Sequence, residues 1–267
     1  MPPRVASLRK SILRFLAFCW RGTKRAARLV SPVNDYVLHE GSRLPPPESR
    51  LNGPDQEVNS FFLDSSIAEA RRAIDRLGCT SRSRLIDIGC GQGRLPIGLM
   101  RELGEVRYQG LDVSKSSVRW CKRNIERRAP AFQFRHIDVV NARYNPSGKT
   151  LSEDFRMPIN DGEADIVYMW GVVTNMEPEH LPVYAGEIFR MLRQGGVLFL
   201  TSNVEADVPT VSINPPGYTS FVCRGPLHIV RYERQYFLNV FRRAGLALTA
   251  FTYHGAGNCQ SEMYFVK

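Results

Sequence analysis

The fold of this chain is decided by the stretch Arg84-Leu-Ile-Asp-Ile-Gly-Cys-Gly-Gln-Gly-Arg94. In it a short apolar run is followed by three glycines at alternate positions, Gly89, Gly91 and Gly93, and a helical pattern begins directly after them. Glycine permits a tight turn and a close approach of the backbone to a ligand, while the first turn of a helix has free N–H groups. The stretch therefore predicts a strand, a ligand-binding turn and a helix.

Apolar runs and helical patterns alternate along the following chain, which is typical of a parallel sheet covered by helices on both faces. Strands are predicted at residues 85–88, 107–111, 132–137, 165–169, 197–201, 246–253 and 262–266. Helices are predicted at residues 95–103, 115–128, 179–192 and 233–244. A further helix is predicted at 66–77, because Ser66-x-x-Glu69 has the spacing of a capping box and Gly78 is a typical helix end.

An acidic residue, Asp112, comes directly after the second predicted strand, 19 positions beyond Gly93. A carboxylate at this point can accept hydrogen bonds from both hydroxyls of a ribose. The dinucleotide fingerprint would require glycine in place of Arg94, so nicotinamide and flavin cofactors are disfavoured. Asp87 adds a carboxylate that can meet the ammonium group of a methionine moiety. A glycine turn without a ligand is the alternative, but it gives Asp112 no role.

The successive motifs of the chain resemble those of class I S-adenosylmethionine-dependent methyltransferases. They are the glycine stretch, Gly110-Leu-Asp112, His136-Ile-Asp138 and Leu192-Arg-Gln-Gly-Gly-Val-Leu198, and the resemblance covers about residues 66–267. It implies an α/β fold with a Rossmann-like sheet of seven strands in the order 3-2-1-4-5-7-6, the last antiparallel. It also implies methyl transfer with S-adenosylmethionine as the cofactor.

The resemblance assigns the cofactor-binding residues by their positions in these motifs. The glycines would hold the methionine part, with Asp87 beside it, and Asp112 would hold the ribose. Val113 would pack beside the adenine ring, and Asp138 would accept from the adenine amino group. The implied set is Asp87, Gly89, Gly91, Gly93, Asp112, Val113 and Asp138.

A closer resemblance is to bacterial methyltransferases of small molecules and glycans, which share the run Tyr144-Asn-Pro-x-Gly148. It implies transfer to oxygen of a small molecule, a sugar or a lipid-linked glycan. Thr174-Asn175 stands where many of these enzymes have Thr-His, so no histidine is carried over from that position. The alternatives are an N-methyltransferase and a catalytically silent cofactor-binding or scaffold protein. The intact glycines and acidic residues disfavour a catalytically silent protein.

An alcohol acceptor requires a general base, and histidine is the usual one. His180, close to Glu177 and Glu179 at the start of a predicted helix, is the first candidate. His228 is the second, because it lies in the C-terminal region that covers the substrate in this family. The alternative for each is a solvated surface histidine. Residues 170–176, after the fourth strand, are expected to border the reaction centre, and residues 203–231 are expected to form a long loop that recognises the acceptor.

Net charge is concentrated at one end of the chain. The formal charge is +10, but residues 1–34 contain eight basic residues and no Asp or Glu, which leaves 28 basic and 26 acidic residues in the remainder. The nearly neutral remainder makes nucleic acid an unlikely partner. Six separated cysteines without a C-x-x-C pair or a nearby histidine indicate no metal site and fit a reducing, cytoplasmic setting.

Residues 4–30 have apolar residues at helical spacing among the arginines and lysines, which predicts a basic amphipathic helix. It is interpreted as a peripheral contact with an anionic membrane, such as the cytoplasmic face of an inner membrane. The alternatives are a helix packed on its own domain and a mitochondrial targeting peptide. The chain is thus divided into this helix (1–34), a Pro- and Gly-containing connector (35–64) and the methyltransferase domain (65–267).

Overall fold

The computed structural model of the protein describes residues 35–51, 53–152, 154–219, 223, 225–254 and 260–267. The predicted amphipathic helix at residues 4–30 lies outside this part of the chain. Within it the strands are β1 (Val37–His39), β2 (Ser42–Leu44), β3 (Arg84–Ile88), β4 (Arg107–Asp112), β5 (Phe132–His136), β6 (Ala164–Met169), β7 (Leu192–Glu205), β8 (Val211–Ile213), β9 (Val230–Glu233), β10 (Ala247–Thr252) and β11 (Ser261–Val266). The helices are α1 (Asn59–Leu77), α2 (Arg94–Glu102), α3 (Lys115–Cys121), α4 (Leu181–Met191) and α5 (Arg234–Arg243).

The central sheet is mixed and mostly parallel. Seven of its strands lie in the order β5-β4-β3-β6-β7-β11-β10, which is the predicted order 3-2-1-4-5-7-6, and β11 is antiparallel to both of its neighbours. The prediction of a seven-stranded sheet is wrong in its count, because β8 and β9 join the sheet through the long end of β7 and bring it to nine strands. Strand β8 and the first residues of β9 lie within residues 203–231, which were predicted to be a loop.

Two apolar layers cover the two faces of the sheet because successive residues of a buried strand point in opposite directions. In β3, Leu85 contributes to the layer under α1, α2 and α3, while Ile86 contributes to the layer under α4 and α5. Both side chains are fully buried. Parallel strands buried on both faces require such continuous apolar runs, and these runs identified the strands in the sequence.

The first helix of the domain begins earlier than predicted. Helix α1 starts at Asn59, so Ser66 lies inside it and its hydroxyl donates to the carbonyl of Phe62 rather than capping the helix. Glu69 is buried instead of closing a capping box. The amphipathic pattern of the helix begins about two turns before Ser66, and this places Ser66 and Glu69 on its buried face.

The segment at residues 35–64, predicted as a connector, contains the β1–β2 hairpin, two 3-10 turns and the beginning of α1. Leu44 at the end of the hairpin is fully buried in the layer that includes α1 and α2. The prolines at 45–47 follow the end of the second strand, and Pro47 begins the first 3-10 turn. The segment therefore packs on the domain instead of forming an extended connector.

Helices α1 and α2 touch through their backbones at Gly98. A Cβ atom added there would lie 1.9 Å from the carbonyl oxygen of Ser66. A backbone atom cannot turn aside as a side chain can, so the glycine is required by the close approach of the two helices.

We therefore expect Gly98→Ala to lower the free energy of unfolding by at least about 2 kcal/mol through overpacking. Gly186→Ala is the matched control, because Gly186 is also helical but a Cβ there meets nothing within 4 Å. That change should raise helix stability by up to about 1 kcal/mol. Denaturant unfolding of both variants gives the comparison. A Gly98→Ala protein as stable as the wild type would contradict the packing described here.

Candidate functional site

A cleft opens at the carboxyl edge of the sheet, above the ends of β3, β4 and β6. Its floor is the glycine turn between β3 and α2, where the N–H groups of Gly89 and Cys90 both donate to the carbonyl of Leu111, at 2.7 and 3.1 Å. Gly91 has a φ of +50°. A Cβ atom added at Gly91 would have Leu51 Cδ1 as its nearest neighbour, at 3.8 Å, so the backbone of Gly91 is open to the cleft. The turn thus offers bare backbone to a ligand.

Asp112 joins the turn to the end of β4. One carboxylate oxygen accepts from the N–H of Gly91 at 2.7 Å, and the other accepts from the N–H of Ser114 at 2.6 Å. Burial raises the pKa of Asp112, although both backbone hydrogen bonds act in the opposite direction. Each carboxylate oxygen has a second lone pair, so the group can still accept two hydroxyl donors from a ligand in the cleft.

Asp87 is buried one residue before the end of β3. The hydroxyl of Tyr108 donates to its Oδ2 at 2.6 Å. Burial raises the pKa of Asp87 to about 7, because moving its charge out of water is costly, and the Tyr108 hydrogen bond and the charge of Arg94 reduce the shift only in part. A cation bound in the cleft would remove that cost.

A second buried acid, Glu69 of α1, lies in the same cleft and was not predicted as a site residue. It accepts a hydrogen bond from the Tyr168 hydroxyl and forms an ion pair with Arg94 at 3.3 Å. Burial raises the pKa of Glu69 despite the neighbouring Arg94 guanidinium. The guanidinium of Arg94 lies over the ring of Trp170, 5.5 Å from its centroid. Opposite charges therefore stand side by side where an amino acid moiety could be held.

The far end of the cleft is polar and is built from the loop after β6 and the residues after β5. Glu177 accepts from the N–H of Ala142 at 2.8 Å and from Asn141 Nδ2 at 3.3 Å. Its Oε2 also lies 3.7 Å from Nδ1 of His180, whose side chain is 10% exposed. Tyr184 completes this end of the cleft. A buried histidine beside a carboxylate is therefore available to a second ligand.

The segment before α1 covers the glycine turn and is held by one arginine. Arg50 is buried and donates to the carbonyls of Pro45 and Gln56, at 2.9 and 2.8 Å, and to the side chain of Asn59 at 2.6 Å. Leu51 and Gln56 thereby line the cleft. No short motif could have revealed this cover, because it depends on hydrogen bonds from one side chain to scattered backbone oxygens.

The structure brings most of the predicted site residues to one cleft. The loop residues Trp170 and Met176 line it as well, whereas Met169 is buried in the core. The predicted residues that line the cleft are Asp87, Gly89, Gly91, Asp112, Val113 and His180.

Three predicted site residues do not line the cleft. Gly93 lies behind the turn, where a Cβ would meet Ile125 Cδ1 at 2.5 Å, so its position is set by packing. Asp138 is exposed and accepts from Asn145 Nδ2 at 3.3 Å, while its neighbours Ile137 and Val139 line the cleft instead. The contact of Asp138 with the adenine amino group stays a prediction, and its side chain lies outside the cleft lining.

The third residue, His228, is half-buried beside the cleft without lining it. Its backbone carbonyl accepts from Asn175 Nδ2 at 2.9 Å, so it supports a residue that does line the cleft. Burial lowers the pKa of His228, and the nearby Arg143 acts in the same direction. Among the described residues no group of three or more His, Cys, Asp or Glu side chains could hold a metal ion.

A family model described as a methyltransferase domain matches residues 85–196. This range begins in β3 and ends in β7, and it contains the glycine turn, Asp112 and His180. It leaves out the cover before α1 and the strands after β7.

Two relatives are similar to part of this chain at low identity. A protein-lysine N-methyltransferase of Saccharomyces cerevisiae is 23% identical over 163 residues, which are 58% of this chain and 68% of that protein. A phthiotriol/phenolphthiotriol dimycocerosates methyltransferase of Mycobacterium leprae is 28% identical over 118 residues, which are 44% of this chain and 37% of that protein. The two alignments thus span about two thirds of the first relative and under half of the second.

The fold is shared with solved structures. A geranyl diphosphate C-methyltransferase from Streptomyces coelicolor, in complex with Mg²⁺, geranyl diphosphate and S-adenosyl-L-homocysteine, superimposes with a TM-score of 0.54 at 14% identity. The superposition covers 81% of this chain and 85% of that one. At this level of identity the likeness establishes the architecture.

Asp87 makes binding of a positively charged ligand depend on pH. Its pKa of about 7 means that it is neutral below that pH and charged above it. We expect affinity for S-adenosylmethionine to rise about tenfold from pH 6 to pH 8 through this group, because ionisation creates the charge that attracts the ligand. The same raised pKa makes the ligand-free protein lose stability as the pH rises from about 4, which is the pKa of an Asp side chain in the unfolded chain, towards 7.

Calorimetric titration of the cofactor across this pH range measures the effect. The Asp87→Asn variant should lose the part of the pH dependence that arises from ionisation of Asp87. Tyr108→Phe is the informative companion, because loss of its hydrogen bond should move the midpoint to higher pH. An Asp87→Asn protein with an unchanged pH profile would show that Asp87 does not meet the ligand's charge.

Proposed function

We propose that this chain is a class I S-adenosylmethionine-dependent methyltransferase and that it transfers a methyl group to a hydroxyl oxygen of a small molecule, a sugar or a lipid-linked glycan. The observation that carries the proposal is the placement of His180 and Glu177 in the same cleft as the glycine turn. A hydroxyl acceptor needs a base at that place, whereas a more acidic acceptor needs none.

The residues of the cleft fit the cofactor. Asp112 has two unused lone pairs for ribose hydroxyls, and the open backbone at Gly91 lies beside it. Asp87 is a buried carboxylate whose ionised form lacks a cationic partner, and Gln92 Oε1 is buried with no hydrogen-bond partner among the described residues. An ammonium group satisfies both. The Arg94 guanidinium can meet a carboxylate of the same moiety.

When bound, S-adenosylmethionine supplies an electrophilic methyl group on a positively charged sulfur. The chain's own contribution is to position the acceptor oxygen in line with that methyl group and to exclude water from the cleft. His180 faces Glu177 with Nδ1, which leaves Nε2 to receive the hydroxyl proton as the new C–O bond forms and the C–S bond breaks. Glu177 stabilises the resulting imidazolium.

Acceptor recognition is assigned to the polar end of the cleft. Asn141, Tyr144 and Tyr184 line it beside His180 and supply side chains that can bond to hydroxyl groups. Trp170, Val172 and Met176 supply the apolar wall. This mixture suits a ring with several hydroxyl groups, such as a sugar, better than a purely apolar acceptor.

We also propose that residues 4–30 hold the protein at an anionic membrane surface, in line with a lipid-linked acceptor. The support is the sequence pattern of eight basic residues without an acidic one among apolar residues at helical spacing. No helix among the described residues is both long and apolar enough to span a bilayer. Such a contact would place the enzyme at the cytoplasmic face of a membrane.

The test of the catalytic proposal is methyl transfer from labelled cofactor to extracts of small molecules, glycans and lipids, followed by mass spectrometry of the product. We expect an O-methyl ether, and His180→Ala should lower kcat at least about 100-fold with cofactor affinity retained. Glu177→Gln should lower kcat less, and the double variant should be no worse than His180→Ala alone, since both act through one proton transfer.

The control is His254→Ala, which removes an exposed histidine outside the cleft and should leave kcat unchanged. A methylated amine as the only product would replace the proposal with N-methylation. Tight cofactor binding without any transfer would indicate a silent binding protein.

The membrane contact predicts that Arg9, Arg14 and Arg21 changed together to Gln weaken binding to anionic vesicles about 100-fold, since each basic residue near such a surface contributes about 1 kcal/mol. Phe15→Asp with Trp20→Asp should weaken binding also at high salt, because the apolar term is not screened. Co-sedimentation of the full-length protein measures both. A wild-type protein that stays in the supernatant at low salt would remove this proposal.

A further inference from the structure

A stripe of basic side chains follows the outer surface of α3 and the π-helical turn that continues it. Lys115, Arg119, Lys122, Arg123 and Arg127 are all exposed, and they line a groove that is closed by Val118 and His136. From Lys115 to Arg127 the stripe is about 18 Å long, at the rise of a helix. We call it the basic stripe.

Four of the five basic side chains of the stripe lack an acidic partner among the described residues. Lys115, Arg119, Lys122 and Arg127 form no ion pair with a carboxylate in the part of the chain that the structure describes. The one acid between them, Glu126, instead accepts from the N–H of Phe134. Like charges four residues apart destabilise a helix, so a stripe of this kind is costly unless an anionic partner covers it.

We propose that the basic stripe is a docking surface for an anionic membrane, separate from residues 4–30. The Trp and Phe side chains of this region, Trp120, Phe132 and Phe134, are all buried, and the one ring that lines the groove, His136, is held to the carbonyl of Val113 by its Nε2 at 3.0 Å, so the stripe presents no large exposed ring on which a nucleic acid base could stack. The stripe therefore recognises phosphate groups and not bases. A lipid surface is the favoured source of these phosphate groups, because the eight basic residues among apolar ones at residues 1–34 are typical of a segment that binds a bilayer rather than RNA.

The stripe also has a useful position. Lys115 directly follows Ser114, which lines the cleft, because α3 begins at the carboxyl edge of the sheet where the cleft opens. A membrane surface along the stripe would therefore reach the rim of the cleft. The benefit for a lipid-linked acceptor rests on the proposed function, but the contact itself does not.

The experiment compares vesicles of phosphatidylcholine with vesicles that also contain phosphatidylglycerol, in co-sedimentation with the full-length protein. We expect binding to the anionic vesicles only, weakening with salt. Arg119, Lys122 and Arg127 changed together to Gln should weaken it at least tenfold. The matched control changes Arg82, Arg242 and Arg243 to Gln, which removes the same charge from exposed positions on other elements and should weaken binding much less.

Equal losses in the two triple variants would overturn the proposal, because binding would then follow net charge alone. Single-stranded RNA that is bound by the wild type and lost by the stripe variant, with vesicle binding kept, would also overturn it in favour of a nucleic acid. Cofactor affinity is measured on the same samples and should not change. If no methyl transfer is found while the stripe variant still loses vesicle binding, the proposed function fails and the docking surface stands.

Discussion

The carboxylate of Asp112 is the interaction on which the site depends. It bonds to the N–H groups of Gly91 and Ser114, and so it fixes the turn after β3 against the end of β4. The carbonyl of Leu111, one residue earlier, holds Gly89 and Cys90 of the same turn. Neighbouring parallel strands bring these groups together, and the remaining lone pairs of Asp112 point to the requirement for a ligand with hydroxyl groups.

Buried acids give the cleft its chemical character. Burial raises the pKa of Asp87, Asp112 and Glu69, and of these only Glu69 has cationic partners, Arg94 and Arg72, at ion-pair distance in the described chain. A stable domain gains nothing from carboxylates that resist ionisation. The arrangement is understandable as a site prepared for a ligand that carries positive charge at one end and hydroxyl groups near the other. The opposite end of the cleft, with His180 and Glu177, is left for the acceptor.

The strands and the core of the site could be predicted because they depend on local patterns, whereas the sheet order was implied by the family resemblance that these patterns carry. Gly89, Gly91 and Asp112 belong to short motifs at strand ends, and a parallel sheet brings strand ends to one edge. Glu69 could not be found in this way, since its partner Tyr168 is 99 positions away and the burial of a charged helix residue leaves no mark in the sequence. Asp138 shows the converse case: it has the motif spacing, but its side chain is exposed outside the cleft lining, which the spacing could not indicate. Gly93 shows that a motif glycine can be required by its positive φ and by packing without lining the cleft.

The account is tested most directly by the structure of the complex with S-adenosylhomocysteine. It predicts both ribose hydroxyls within about 2.6 to 3.2 Å of the Asp112 carboxylate oxygens, the adenine ring beside Val113 and the ammonium group near Asp87. His180 and Glu177 should then lie on the far side of the sulfur, facing the space for the acceptor. A ligand bound away from the glycine turn, or a ribose with no contact to Asp112, would contradict the account.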